Sequence, residues 1–127
     1  MSASLNVVYT KDAPAAIGPY SQAIAVNGLV YTSGQIAIDP ATGSIDAKGI
    51  EAQTEQVIRN LKAVLKAAGT DLSSVIKTTC FLQSMADFAA FNSVYEQYFT
   101  GKPARSCVEV SALPKGALVE IEAVAAM

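Results

Sequence analysis

Val57-Ile58-Arg59-Asn60-Leu61-Lys62-Ala63-Val64-Leu65-Lys66-Ala67-Ala68-Gly69 is the stretch on which the fold turns. Val57, Ile58, Leu61, Val64, Leu65 and Ala68 recur at the three- and four-residue spacing that stacks side chains along one face of a helix. Gly69 follows as a residue suited to the left-handed conformation that ends one. The helical period reaches back to Ile50, so a helix is expected over 50–68. Upstream the pattern is different. Ala23 to Val26 and Leu29 to Ser33 flank Asn27-Gly28, a strong two-residue hairpin signal because both turn positions need positive φ. Leu5 to Tyr9 reads as an edge strand, and Asp39-Pro40-Ala41-Thr42-Gly43 as a turn or loop.

Downstream, Val75 to Gln83 is rich in β-branched and aromatic residues and reads as a strand. A second helix is expected from Met85 to Phe99. Phe88, Phe91, Tyr95 and Tyr98 form its apolar stripe, and Ser84 with Asp87 makes a capping-type start. Arg105 to Val110 and Leu118 to Val124 close the chain as strands, joined by a loop holding Pro114 and Gly116. The order β-β-β-α-β-α-β-β describes an α+β chain with six strands in one sheet. Each helix has one apolar face, so both are expected on the same side of that sheet. The 127 residues suit one domain, 1–127, without repeat or linker.

Only 16% of the chain is charged and 51% is hydrophobic, against about 25% charged in average soluble domains. A small domain normally covers its outside with charge. The helix-free side of the sheet also needs a cover, and both observations are met by self-association. The net charge of −2 argues against nucleic acid as the main partner, because phosphate binding needs a clustered basic surface. No apolar run approaches the roughly 18 residues that span a bilayer. Met1 to Thr10 lacks the basic and apolar regions of a secretory signal, so the expected compartment is the cytosol. Cys80 and Cys107 are too few and too far apart for a disulfide framework or a zinc site, and read as reduced, half-buried packing residues. The absence of histidine excludes Ser-His-Asp and Cys-His machinery and His-ligated zinc.

The chemistry left belongs to the last two strands. Side chains alternate across a strand, so Arg105, Cys107 and Glu109 share one face while Val108 and Val110 share the other. Glu120 and Glu122 alternate with apolar Val119, Ile121 and Ala123. If the two strands are neighbours, Arg105 and Glu120 face a common space. Arg105 has a structural reading, as a surface or ion-pair residue, and a functional one, since its planar fork grips a carboxylate through two parallel hydrogen bonds. Glu120 reads as an exposed strand residue or a base. Tyr20 after Gly18-Pro19, Ser33 before Gly34, Asn92 on the second helix and Cys107 each have an ordinary packing, turn or capping role as the alternative to binding.

Four stretches are more telling together. Ala13-Pro14-Ala15-Ala16-Ile17-Gly18-Pro19-Tyr20-Ser21-Gln22, Thr32-Ser33-Gly34-Gln35-Ile36, Pro103-Ala104-Arg105-Ser106-Cys107-Val108 and Glu120-Ile121-Glu122-Ala123 closely resemble the signature segments of the RidA (YjgF) family. The resemblance spans nearly the whole chain. It implies a chorismate-mutase-like α+β fold, a six-stranded mixed sheet with two helices on one face, assembled as a homotrimer with clefts between subunits. It also implies hydrolysis of 2-imino acids such as 2-iminobutanoate and 2-iminopropanoate, the unstable imine and enamine products of pyridoxal-phosphate-dependent dehydratases, to 2-oxo acids and ammonia. On the family pattern Arg105 binds the substrate carboxylate and Glu120 positions or activates water. Tyr20, Ser33, Gly34, Asn92 and Cys107 match cleft-lining positions, and no metal or other cofactor is implied. Only Thr100-Gly101-Lys102-Pro103 precedes Ala104-Arg105, a shorter connection than in some members. The competing classes are a non-enzymatic module for 2-oxo acids or other small carboxylates, a chaperone, and a ribonuclease, the last disfavoured by acidic charge and absent histidine.

Overall fold

The computed structural model describes residues 4–127; residues 1–3 of the expected domain lie outside the described residues. Six strands and two α-helices follow the expected order: β1 (Asn6–Val8), β2 (Ala23–Val26), β3 (Leu29–Thr32), α1 (Gly49–Ala68), β4 (Val75–Leu82), α2 (Phe88–Tyr98), β5 (Ala104–Glu109) and β6 (Val119–Ala126). One mixed sheet holds all six strands in the spatial order β1-β2-β3-β6-β4-β5. Only the β4–β5 pair is parallel, and α2 supplies the crossover that a parallel pair requires.

Local chemistry explains the elements. Val26 pairs with Leu29 across Asn27 (φ 52°) and Gly28 (φ 77°), so the hairpin turns on two positive-φ residues. Helix α1 ends where Gly69 adopts φ 90°; its amide and that of Thr70 return to the carbonyls of Lys66 and Leu65 at 3.0 Å each. The second helix starts less regularly than its stripe implies. Met85–Asp87 is a 3-10 turn capped by Ser84, whose Oγ accepts from the Ala86 amide at 3.1 Å, and the α-helix proper begins at Phe88. Asp87 makes no side-chain cap.

Both helices lie on one face of the sheet. Val57, Ile58, Leu61, Val64 and Leu65 of α1 and Phe91 of α2 are fully buried with Val119, Ile121, Cys80 and Leu82 beneath them. Asn60 interrupts this apolar face at no energetic loss, because its Nδ2 donates to the carbonyls of Ile36 (3.0 Å) and Ile38 (2.9 Å). Gln53, two turns further back on the same side of α1, accepts from the Leu118 amide at 2.9 Å. These two side chains strap the 36–38 segment and the entry to β6 onto the helix. The other face of the sheet has no helix. Register places Val7, Ile24, Tyr31 and Val124 side by side across it, with Val7 68% and Tyr31 47% exposed.

Candidate functional site

The seven residues singled out from sequence fall into two clusters on opposite faces of the sheet. Strands β5 and β6 are not neighbours, since β4 lies between them. Thr78 of β4 pairs with Arg105 on one side and with Ala123 on the other, so Arg105 shares the helix-covered face with Ala123. Glu120 and Glu122 alternate with the buried residues of β6 and therefore point to the opposite face. The common space that adjacency would give Arg105 and Glu120 does not exist within the chain.

The first cluster is built on the edge strand β5 and on α2. Arg105 is half-buried, and its guanidinium carbon lies 4.8 Å from the ring centre of Tyr95, 5.6 Å from that of Phe88 and 5.9 Å from that of Phe91. Its Nη1 donates to Asn92 Oδ1 at 2.8 Å. All four of these partners are neutral. Cys107, half-buried on the same face, has its thiol pushed up by burial, against the pull of Arg105. Fully buried Cys80 is pushed further, to about 12, again mainly by burial. Neither thiol is activated as a nucleophile at neutral pH. The amide of Val110 bonds to the Leu82 carbonyl at 2.9 Å, and amides alternate sides along a strand. The Arg105, Cys107 and Glu109 amides therefore face the open edge of the sheet, where they are donors for a partner outside the chain.

The second cluster is a cup of about 620 Å³ on the helix-free side. Tyr20, Ser33 and Gly34, expected to bind substrate, and Glu120, expected to handle water, line it together. Pro14, Ile17, Ile36 and Pro114 supply apolar wall, and Lys115 stands at the rim with φ 57°. The wall is held by hydrogen bonds made by residues of the RidA-like stretches. Gln22, only 3% exposed, accepts from the Thr10 amide at 2.7 Å and donates to the Thr10 and Pro14 carbonyls at 2.9 Å. Ser33 spends its proton on the Ser21 carbonyl at 2.6 Å, which leaves its oxygen as an acceptor. Gln35 pairs with Ile121 through both backbone bonds and brings Gly34 against β6. A Cβ at Gly34 would overlap Glu120 Oε2 and stand 2.8 Å from its carboxyl carbon, so only glycine leaves room for that carboxylate. Burial raises the Glu120 carboxyl above its ordinary 4.5, and the neighbouring charge of Glu122 adds to the shift.

The family model described as endoribonuclease L-PSP matches residues 10–127. The chain belongs to this family, known as RidA or YjgF. Among RidA relatives, the mouse protein named 2-iminobutanoate/2-iminopropanoate deaminase is 48% identical over 121 residues, covering 94% of this chain and 90% of its own. The RidA fold is equally close. A Rid-family protein from Yersinia pestis, YyfA, superposes with a TM-score of 0.95 at 53% identity, covering 98% of this chain and all of that one. E. coli TdcF, solved with bound serine, superposes with a TM-score of 0.91 at 41% identity over 96% of this chain and 98% of its own.

Pro14, Ala15, Ile17, Gln22, Gln35 and Ile36 of the cup come from the same RidA-like stretches, whereas Ile38, Pro40, Gly43, Pro114 and Lys115 lie outside them. Gln22 is the last residue of a RidA-like stretch, whereas nothing in the local sequence sets Gln53 apart from its polar neighbours Glu51, Thr54 and Glu55. For Asn60 the signal was its position between Val57 and Val64 on the buried face of α1.

Proposed function

We propose that this RidA protein hydrolyses 2-imino acids, 2-iminobutanoate and 2-iminopropanoate among them, to 2-oxo acids and ammonia. The reaction takes place in a cleft where the Arg105 edge of one protomer meets the Glu120 cup of another. The observation that carries the reading is Arg105 itself. A half-buried guanidinium held by an amide oxygen and three aromatic faces keeps its charge and its fork for an anion from outside the chain. The names of the mouse relative and of the human one, also 48% identical, supply the substrate class, and the serine bound to TdcF is a carboxylate of matching size.

The chemistry needs orientation more than nucleophilic power. Arg105 fixes the substrate carboxylate, with the free edge amides beside it as further donors. The imine carbon is already electrophilic. Glu120 in its ionised form accepts a proton as water oxygen bonds to that carbon. Glu120 hands that proton to the imine nitrogen, which becomes the amine of a neutral carbinolamine. Glu120 then takes the hydroxyl proton of this carbinolamine and passes it to the same nitrogen; the C–N bond breaks, ammonia leaves as the C=O bond forms, and Glu120 is ionised again. Pro14, Ile17 and Ile36 give the substrate's short aliphatic side chain an apolar wall. The reaction as written calls on no cofactor. Among the described residues the cup carries one cation, Lys115, and one anion, Glu120, a poor match for a polyanionic RNA strand.

The same geometry supports self-assembly. The two clusters can serve one substrate only if they come from different copies of the chain, and the row Val7, Ile24, Tyr31 and Val124 gives the helix-free face an apolar surface to bury. We assign the assembly as a cytosolic homotrimer working downstream of pyridoxal-phosphate-dependent dehydratases. Adding the protein to a serine or threonine dehydratase reaction should speed release of pyruvate or 2-oxobutanoate, and Arg105→Ala should abolish the acceleration. Unchanged release beside an active control would refute imine hydrolysis; calorimetric binding of pyruvate without turnover would mark a carboxylate-binding module instead.

A further inference from the structure

Arg105 could in principle owe its position to Asn92 alone, but the packing around it is more elaborate than one hydrogen bond requires. Three aromatic rings of α2 surround the guanidinium on the face turned to the core, and Tyr95 is the nearest. Tyr95 is itself fixed on every side. Its ring stacks on Phe99 at 4.4 Å between centres and tilts against Phe91 at 5.5 Å. Its hydroxyl shares a 2.7 Å hydrogen bond with Thr78 Oγ1, both groups being buried. Thr78 is the residue of β4 that pairs in register with Arg105. The chain of contacts thus closes on itself, from the Arg105 backbone to Thr78, to the Tyr95 hydroxyl, and through the ring back to the guanidinium.

We infer that Tyr95 is a positioning residue for the carboxylate-binding step: locked by Thr78, it sets the plane of the Arg105 guanidinium and holds the fork ready for the substrate. This rests on the imine-hydrolysis reading above. An arginine on an edge strand has several rotatable bonds and would otherwise lose rotamer freedom on binding. A ring already fixed beneath it removes much of that cost and leaves the charge intact, because a π face attracts the cation without neutralising it. A carboxylate in the ring's place would compete with the substrate. Burial also raises the tyrosine hydroxyl's pKa, so Tyr95 stays neutral across the working range. The ring is the part that matters for the guanidinium, and the hydroxyl matters through Thr78.

The test separates position from fold. KM and kcat for the imine of alanine, generated in place by an amino acid oxidase, would be measured for the unaltered protein, Tyr95→Leu and Tyr95→Phe, with thermal melting alongside. The expected result is a KM raised about ten-fold in Tyr95→Leu with kcat nearly unchanged, and most of that loss restored in Tyr95→Phe. A folded Tyr95→Leu protein with unaltered KM overturns the inference, as does a loss confined to kcat, which is what a smaller folded fraction produces. Should Tyr95→Leu not fold, Phe88→Leu at the half-buried second ring decides the matter: a raised KM supports the cradle and an unchanged KM overturns it. If the unaltered protein shows no turnover, the hydrolysis reading fails by itself. Calorimetry with pyruvate then decides the positioning role, with weaker binding by Tyr95→Leu but not by Tyr95→Phe supporting it. Absence of any pyruvate binding overturns both.

Discussion

Glu120 is a carboxylate whose surroundings resist its charge. Burial disfavours the ionised form, and Glu122 two residues along the same strand face adds a like charge. The carboxyl therefore takes up its proton at a higher pH than free glutamate. On the proposed mechanism only the ionised form accepts a proton from water, so activity is expected above that raised pKa and lost as pH falls through it. Glu122→Gln removes the repulsion and should shift the acid limb of the kcat/KM profile to lower pH; a profile unmoved by the substitution would show that Glu122 has no part in it. The sequence disclosed Glu120 through alternation in β6 and through its motif, but not the raised pKa. That property depends on the segment Ser33-Gly34-Gln35, which lies far away in the chain and comes against the carboxylate only after folding. The same holds for Arg105: its strand and face were readable, its three rings were not, because Phe88, Phe91 and Tyr95 look like an ordinary core stripe.

At the scale of elements, helices and hairpin were legible because each rests on local chemistry: the 3.6-residue period, Gly69, and Asn27-Gly28. The relation between β5 and β6 was not. Alternation gives the faces of each strand separately, and only the sheet order and register relate them. Insertion of β4 between β5 and β6, with Thr78 paired to Arg105 and Ala123, places the guanidinium and the Glu120 carboxylate on opposite faces. The bridge between Gln35 and Ile121 is equally non-local, and it is the contact that builds the cup. Gly34→Ala tests it. The added methyl meets the flexible end of Glu120 and not the backbone, so the carboxylate should swing away while the fold survives. We expect kcat/KM to fall by about a hundred-fold with stability changed by about 1 kcal/mol or less, read from turnover and thermal melting on the same sample. Retained activity would show that the Glu120 carboxylate need not lie against Gly34.

The molecule as a whole keeps half of its proposed machinery on each side of one sheet. If a working cleft needs Arg105 from one protomer and Glu120 from another, Arg105→Ala and Glu120→Gln are each inactive alone but complement each other. Co-expressed in equal amounts, they should recover roughly a quarter of the unaltered activity, the statistical share of interfaces holding both native residues. No recovery from verified mixed assemblies would place both residues' work within one protomer. The same division has a consequence for how such a chain can diversify. Arg105 lies among rings that belong to the core, with Phe91 fully buried and Tyr95 7% exposed, so most changes around the guanidinium disturb folding as well as binding. The opposite wall is made of residues such as Ile17 (79% exposed) and Tyr20 (53% exposed), together with the exposed Lys115 of a surface turn. Replacing these costs little stability. Descendants of this sequence can therefore redraw the chamber that selects a side chain while inheriting, nearly unaltered, the grip on the carboxylate.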